Sequence, residues 1–104
     1  MLDTTLHALA DSTRRSILLR ISEREQTINE IAEPYDMSLA AVSKHIKVLE
    51  KADLIRKKKI GRSYSCSMNY APLSEVQQLI SEYKKFWEAR LGELDTFITK
   101  AKKD

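Results

Sequence analysis

The apolar residues of the amino-terminal half recur every three or four positions, which is the period of an α-helix. They predict a short first helix that ends near Ala10 and a second helix that is capped by Asp11 or Ser12. A third helix is predicted to begin at the capping-box sequence TINE, residues 27–30, and to end before Pro34. The end is expected there because a residue that precedes proline is disfavoured in the α conformation.

The fourth predicted helix begins at the N-cap residue Ser38 and runs to about residue 51. At about 100° per residue, its apolar residues fall on one face and its small and basic residues on the opposite face. The apolar face holds Val42, His45, Ile46 and Leu49, and the opposite face holds Ala40, Ser43, Lys44, Lys47 and Lys51, with Leu39 at its margin. With the third helix and a tight turn at residues 35–37, this segment predicts a helix-turn-helix.

A β-hairpin with a basic first strand is predicted after this helix. Asp53 stands where a helix often ends in a left-handed residue, a conformation that aspartate tolerates. Residues 54–60 and 63–68 then predict two strands joined by a turn at residues 61–62. The second strand alternates serines with three larger residues that are predicted to face inward, namely Tyr64, Cys66 and Met68.

The remaining segment, about residues 72–102, predicts one long helix that Pro72 can begin. Apolar residues keep helical spacing over about 30 residues, or roughly 45 Å, which a domain of this size cannot bury alone. The stripe therefore predicts a partner helix, most simply the same helix of a second chain. We assign to this dimer interface Leu2, Leu6, Tyr83, Phe86, Trp87, Leu91, Leu94, Phe97 and Ile98.

The composition fits one small helical domain, residues 1–104, that meets nucleic acid. Two glycines and two prolines leave little material for long loops. The segment 44–62 carries eight bases and two acids, so its net charge is +6 in a chain whose total is +3, and the rest is net −3. A positive charge concentrated in this way is the electrostatic signature of a phosphate-binding surface.

The same composition indicates a cytoplasmic protein. No apolar run approaches the ~18 residues of a membrane span, and the amino terminus has no apolar signal-peptide block. A single cysteine excludes a framework of internal disulfides and fits a reducing compartment. We expect no interaction with membranes.

The sequence resembles the ArsR-type winged-helix transcriptional repressors in four segments. They are LADSTRRSIL (9–18), IAEPYDMS (31–38), AVSKHIKVLEKADLI (41–55) and GRSYSC (61–66). The terminal YKKFWEARLGELDTFI (83–98) resembles the branch of that family with an aromatic-rich dimer helix and no metal ligands. Ser12 and Ala40 stand where many members of that branch have proline, and Asp53 where glycine is usual. The resemblance implies repression by occlusion of RNA polymerase. The predicted fold is mainly α with a two-stranded β wing, dimeric through the terminal helices.

The chemistry of the small and basic residues assigns them to double-stranded DNA. The recognition-helix set is Ser38, Leu39, Ala40, Ser43, Lys44 and Lys47, and the wing set is Lys57, Lys58, Lys59 and Arg62. Small side chains allow a helix to approach the major groove closely, and an arginine at the tip of a wing suits the minor groove. A dimer would present two such helices about one DNA turn apart, so the operator is expected to be an imperfect palindrome.

Other chemistry is poorly represented in the sequence. One cysteine and two scattered histidines cannot form a soft tetrahedral metal site within one chain. Metal-sensing members of the family carry cysteines at the positions that match Thr27 and Asn29, or acidic residues and histidine in the last helix, where this chain has no histidine. We expect no metal, no cofactor and no enzymatic activity, because no phosphate loop or nucleophile motif is present. His45 is predicted to be a packed, hydrogen-bonded residue, and Cys66 a small buried one.

Two alternatives stay open at this stage. A winged helix can serve as a protein-interaction module, although its recognition face would then be acidic or apolar rather than small and basic. A regulator can also bind a small organic effector at the dimer interface, where Tyr83, Phe86 and Trp87 would line a pocket. The sequence does not identify an effector.

Overall fold

The computed structural model describes the backbone of residues 1–102 and the side chains of residues 1–92. Over this part of the chain, four short helices and a small sheet form one core, and a long helix follows. In chain order the elements are α1 Leu2–Leu9, α2 Ser12–Glu23, β1 Gln26–Thr27, α3 Ile28–Ala32, α4 Leu39–Lys51, β2 Ile55–Ile60, β3 Ser63–Met68 and α5 Ala71–Lys102. This is the predicted winged helix-turn-helix, in which β2 and β3 form the wing.

Short polar residues cap three helices as predicted. Asp11 begins α2 by accepting a hydrogen bond from the amide three residues later at 3.0 Å, and Ser38 begins α4 in the same way at 3.1 Å. At α3 the cap is reciprocal. The Thr27 hydroxyl accepts from the amide of Glu30, and the Glu30 carboxylate accepts from the amide of Thr27. Asp53 adopts the left-handed conformation with φ 60°, so α4 ends where the sequence indicates.

The sheet has three antiparallel strands in the order β1–β3–β2, and the sequence did not reveal β1. Its two residues pair with the middle of β3, Thr27 opposite Ser65. This pairing buries Ser65, which is only 8% exposed, because that residue lies between β1 and β2. The prediction that Tyr64 faces inward was wrong, since its side chain is 44% exposed. Tyr64 pairs with Lys59 near the hairpin turn, beyond the end of β1.

The core lies between α1 to α4 and the sheet. Its fully buried side chains include Ile17 of α2, Ile31 of α3 and Leu54 just before β2. The apolar face predicted for α4 is confirmed, because Val42, Ile46 and Leu49 are completely buried. The opposite face of α4 is therefore free to meet another molecule.

Helix α5 begins at Ala71, one residue before the predicted start, and its first turns pack against α1. Leu73, Val76 and Leu79 are half-buried there. From Ile80 onward the apolar residues are exposed, and we call Ile80, Tyr83, Phe86, Trp87 and Leu91 the terminal stripe. The predicted interface residues Leu94, Phe97 and Ile98 lie outside the described side chains. Within the described residues, no helix is both long enough and apolar enough to cross a membrane.

Candidate nucleic-acid interface

The outward side of α4 presents the residues that the sequence assigned to base recognition. We call Leu39, Ala40, Ser43, Lys44 and Lys47 the recognition face; all are exposed except Ser43, which is half-buried. Leu39 is 51% exposed although it is a large apolar residue at the start of a helix. The sixth assigned residue, Ser38, is exposed, but its hydroxyl accepts the capping hydrogen bond from the amide of Ala41.

A polar cluster ties α4 to the two preceding helices. Arg14 of α2 donates from Nε to the carbonyl of Ala8 at 2.7 Å and from Nη2 to the carbonyl of His7 at 3.0 Å. Its Nη1 lies 3.3 Å from Nδ1 of His45 in α4. Because a guanidinium can only donate, Nδ1 of His45 is the acceptor in this hydrogen bond. His45 is thus the packed, hydrogen-bonded residue that the sequence predicted.

Asp11 completes this cluster. Its Oδ2 lies 3.8 Å from Nδ1 of His45 and accepts the hydrogen bond from the amide of Arg14. That amide hydrogen bond lowers the pKa of Asp11 below its ordinary value. Partial burial opposes the shift, whereas His45 and the Arg14 guanidinium add to it. The cluster therefore favours a charged carboxylate at the start of α2, directly beside the inner side of α4.

The wing carries exposed cations around its turn. Gly61 takes φ 61°, the left-handed conformation that a tight turn needs, and Arg62 follows it. Lys58, Lys59 and Arg62 are exposed, and their side chains form no ion pair within residues 1–92. Their charge is available to a polyanion beside the recognition face.

Lys57 differs from the other three assigned wing cations. Its Nζ lies 3.4 Å from Oε1 of Glu50, near the end of α4, and 5.8 Å from the ring centroid of Tyr64 in β3. Only 20% of its side chain is exposed. The structure thus supplies this lysine with partners inside the chain.

Arg56 is a surface cation to which the sequence analysis gave no role. It is exposed and lies two residues before Lys58 on β2, so both side chains project from the same face of the strand. Lys57 and Lys59 project from the other face. The period of two in a strand was the signal that would have separated these two pairs.

The comparisons with known proteins agree with this geometry. Residues 9–58 match the sequence model of a helix-turn-helix domain, from the end of α1 into β2. The HTH-type transcriptional regulator YuzN of Bacillus subtilis (strain 168) is 40% identical over 81 residues, covering 71% of this chain and 88% of YuzN. The crystal structure of an ArsR family transcriptional regulator is 39% identical, with a TM-score of 0.78 over 84% of this chain and 90% of that chain. The chain belongs to the ArsR family of winged-helix transcriptional regulators.

As an ArsR-family member, the protein is a DNA-binding transcriptional regulator. The transcriptional repressor SdpR of Bacillus subtilis (strain 168) is also similar, at 28% identity over 74 residues, which cover 71% of this chain and 82% of SdpR. The helix-turn-helix model ends at residue 58, so it includes α4 and part of the wing but none of α5.

The thiol of this ArsR-family regulator is enclosed. Cys66 of β3 is completely buried, as predicted, and burial raises the pKa of its thiol. A raised pKa disfavours the thiolate, which is the form that reacts with oxidants and binds metals. Among the described residues, no group of three or more His, Cys, Asp or Glu side chains is arranged to hold a metal ion.

Three aromatic residues of the terminal stripe lie close together. Phe86 and Trp87 meet edge to face with ring centroids 6.0 Å apart. With Tyr83 they line a shallow open hollow of about 490 Å³. The guanidinium of Arg90 lies 5.3 Å from the Phe86 ring centroid, at the border of this apolar surface.

Proposed function

We propose that this regulator is a homodimeric repressor that binds an imperfect palindromic operator, with α4 of each protomer in the major groove and the wing beside it. The observation that carries the proposal is the recognition face. Four of its five residues are exposed and two of them are lysines, whereas Val42, Ile46 and Leu49 on the opposite face of α4 are completely buried. A helix whose outer face is narrow can approach the base edges of B-DNA.

The residues of the recognition face take different roles in this proposal. Leu39 and Ala40 contact thymine methyl groups, which are apolar surfaces in the major groove. Ser43 exchanges hydrogen bonds with a base edge. Lys44 and Lys47 reach guanine acceptors or phosphates. Ser38 contributes through the helix start that it caps, and its backbone lies where α4 approaches the DNA.

The wing supplies affinity rather than base recognition. Lys58 and Lys59 neutralise phosphates, and Arg62 at the turn enters the minor groove, where negative potential is concentrated. Support comes from their exposure and from the lack of ion pairs at these three side chains in the described part of the chain. Phosphate contacts position a protein on DNA, whereas base contacts choose the site.

Dimerisation through α5 brings the two recognition faces to one side of the duplex. The terminal stripe continues the apolar side of α5 that packs on α1, and Tyr83, Phe86 and Trp87 are each more than half exposed. Leu6 of α1 is also exposed, whereas Leu2 is half-buried. A two-fold dimer would place its half-sites about 10 bp apart, or a multiple of that spacing.

Repression is the regulatory outcome that we propose. The similar protein SdpR is named a transcriptional repressor. A dimer seated on an operator that overlaps a promoter would exclude RNA polymerase without any catalytic step.

Selection from a random duplex library with purified protein at moderate salt tests this function. We expect enrichment of an imperfect palindrome, and a dimer on each enriched duplex by sedimentation. A single enriched half-site bound by one protomer would contradict the dimeric operator. Binding without enrichment would mean that the basic surface attracts DNA electrostatically without preferring any sequence. No binding at all would favour the protein-interaction module.

A further inference from the structure

The basic run of the wing contains two kinds of lysine. Lys58 and Lys59 are exposed, and neither forms an ion pair within the described residues. Lys57 is only 20% exposed, and its ammonium lies 3.4 Å from the Glu50 carboxylate. Three consecutive lysines thus have different surroundings in the fold.

The pairing of the strands explains why Lys57 is set apart. Lys57 lies opposite Cys66 in the hairpin register, and residues opposite each other in an antiparallel pair project from the same face. Cys66 is completely buried, so this face of the wing is the one that packs on the helices. Lys57 can extend its stem along that face and keep its ammonium at the edge, where Glu50 meets it.

Two elements hold the Lys57 ammonium in place. Glu50 comes from α4, one turn after Lys47 of the recognition face. Tyr64 comes from β3, and its ring centroid lies 5.8 Å from Nζ, within the range of a cation–π interaction. The lysine therefore connects the end of the recognition helix to both strands of the wing.

We propose that Lys57 is a positioning residue, which joins α4 to the wing through Glu50 and does not contact phosphate. This inference rests on the proposed function, in which α4 and the wing bind neighbouring grooves of one duplex. The two elements can then fit the same operator only if the angle between them is fixed. The pair thus contributes to the preference for the operator over other DNA, whereas Lys58 contributes equally to all duplexes.

Charge exchange tests this assignment. The variants are Lys57→Glu, Glu50→Lys and the double exchange, each measured for the Kd of the selected operator and of a scrambled duplex at the same salt concentration. The preference ratio, which is the Kd of the scrambled duplex divided by the Kd of the operator, cancels a general electrostatic effect on DNA binding. We expect each single variant to lower this ratio about two- to fivefold, as for the loss of a partly exposed ion pair. The double exchange should restore the ratio to near that of the unaltered chain.

Lys58→Glu, alone and combined with Glu50→Lys, is the matched control. The Lys58 side chain projects from the face of β2 opposite to that of Lys57. Lys58→Glu should therefore weaken the binding of both duplexes alike and leave the ratio unchanged. The double variant Lys58→Glu with Glu50→Lys should keep the lowered ratio of Glu50→Lys alone. If Lys57→Glu behaves like Lys58→Glu, or if the double exchange remains as poor as Lys57→Glu, the positioning role is overturned.

Two further measurements keep the test decisive. Urea unfolding verifies that each variant is folded. Where a reversed charge prevents folding, the neutral variants Glu50→Gln and Lys57→Gln are used instead. The double neutral variant should then lower the ratio of Kd values no more than either single variant does. Binding by the unaltered chain is measured first. If that chain does not prefer any duplex, the proposed function itself fails, whereas a normal preference with no rescue overturns only the role of Lys57.

Discussion

Helices α4 and α5 are both built on an apolar stripe of helical period, yet the two stripes have different surroundings. On α4, Val42, Ile46 and Leu49 are completely buried against the rest of the chain. On α5, Trp87 is 56% exposed, and the other members of the terminal stripe are exposed to a similar extent. The same sequence pattern therefore accompanies a helix inside the core and a helix whose apolar side is exposed from Ile80 to Leu91.

The difference shows what helical period reveals about packing. It identifies the face that avoids water, but not the molecule that covers that face. For α4 the cover is supplied by α1, α2, α3 and β2. For α5 the first turns pack on α1 and the terminal stripe is exposed, so in the proposed dimer the partner helix covers that stripe. Substitutions on the two stripes should thus change different measured quantities.

The largest effect is expected from Leu49→Ala in α4. Leu49 is completely buried, and removing three carbons from a packed core costs about 2–5 kcal/mol of the free energy of unfolding. Urea unfolding measures this loss. Lys47→Ala, on the exposed side of the same helix, is the control and should change the free energy by less than about 0.5 kcal/mol. Equal effects of the two changes would contradict the burial of the α4 stripe.

Trp87→Ala in α5 should weaken self-association. A central aromatic residue of an interface contributes about 2 kcal/mol or more, which is roughly a 30-fold increase in the dimer Kd. Sedimentation across a concentration series measures that constant. Lys85→Ala is the matched control, because Lys85 is exposed on the same helix but lies off the apolar stripe. If Trp87→Ala leaves the dimer constant unchanged, another surface joins the protomers.

The third effect separates the recognition face from the wing. Lys44→Ala should alter the preference between bases at one operator position, by about 1–3 kcal/mol, because Lys44 is proposed to reach a base edge. Lys58→Ala should weaken all duplexes alike and reduce the salt slope by about one. Competition binding with operator variants at several salt concentrations distinguishes the two. The division of roles is contradicted if both variants affect every duplex equally.

Local chemistry made the helices of this fold predictable. Caps at Asp11, Thr27 and Ser38 depend on residues only three positions apart, so they can be read from neighbouring letters. The left-handed residue Asp53 and the turn at Gly61 are also local features. The order and nearly all the bounds of the helices followed from such short-range signals.

The remaining features depend on residues that are distant in the sequence. Strand β1 has two residues and exists only because β3 pairs with it, about 40 positions later. That pairing buries Ser65, and its short length leaves Tyr64 exposed, which reverses the predicted pattern at these two positions. The contact of Lys57 with Glu50 likewise needs the angle between wing and helix, which no local pattern encodes.

The smallest effect concerns acid and the polar attachment of α4 to α2. Because the folded chain lowers the pKa of Asp11, its carboxylate contributes stability above the unfolded value near 3.8. That contribution is lost as the pH falls from this value through the lower folded pKa.

Asp11→Asn keeps a capping side chain but removes the charge. The free energy of unfolding that it costs should therefore be larger near pH 7 than near about pH 3. Urea unfolding of both chains at the two pH values measures the difference. Gln77→Ala, a change at an exposed and uncharged residue of α5, should show no such dependence. An equal cost of Asp11→Asn at both pH values would mean that only the cap, and not the charge beside His45, stabilises the joint between α2 and α4.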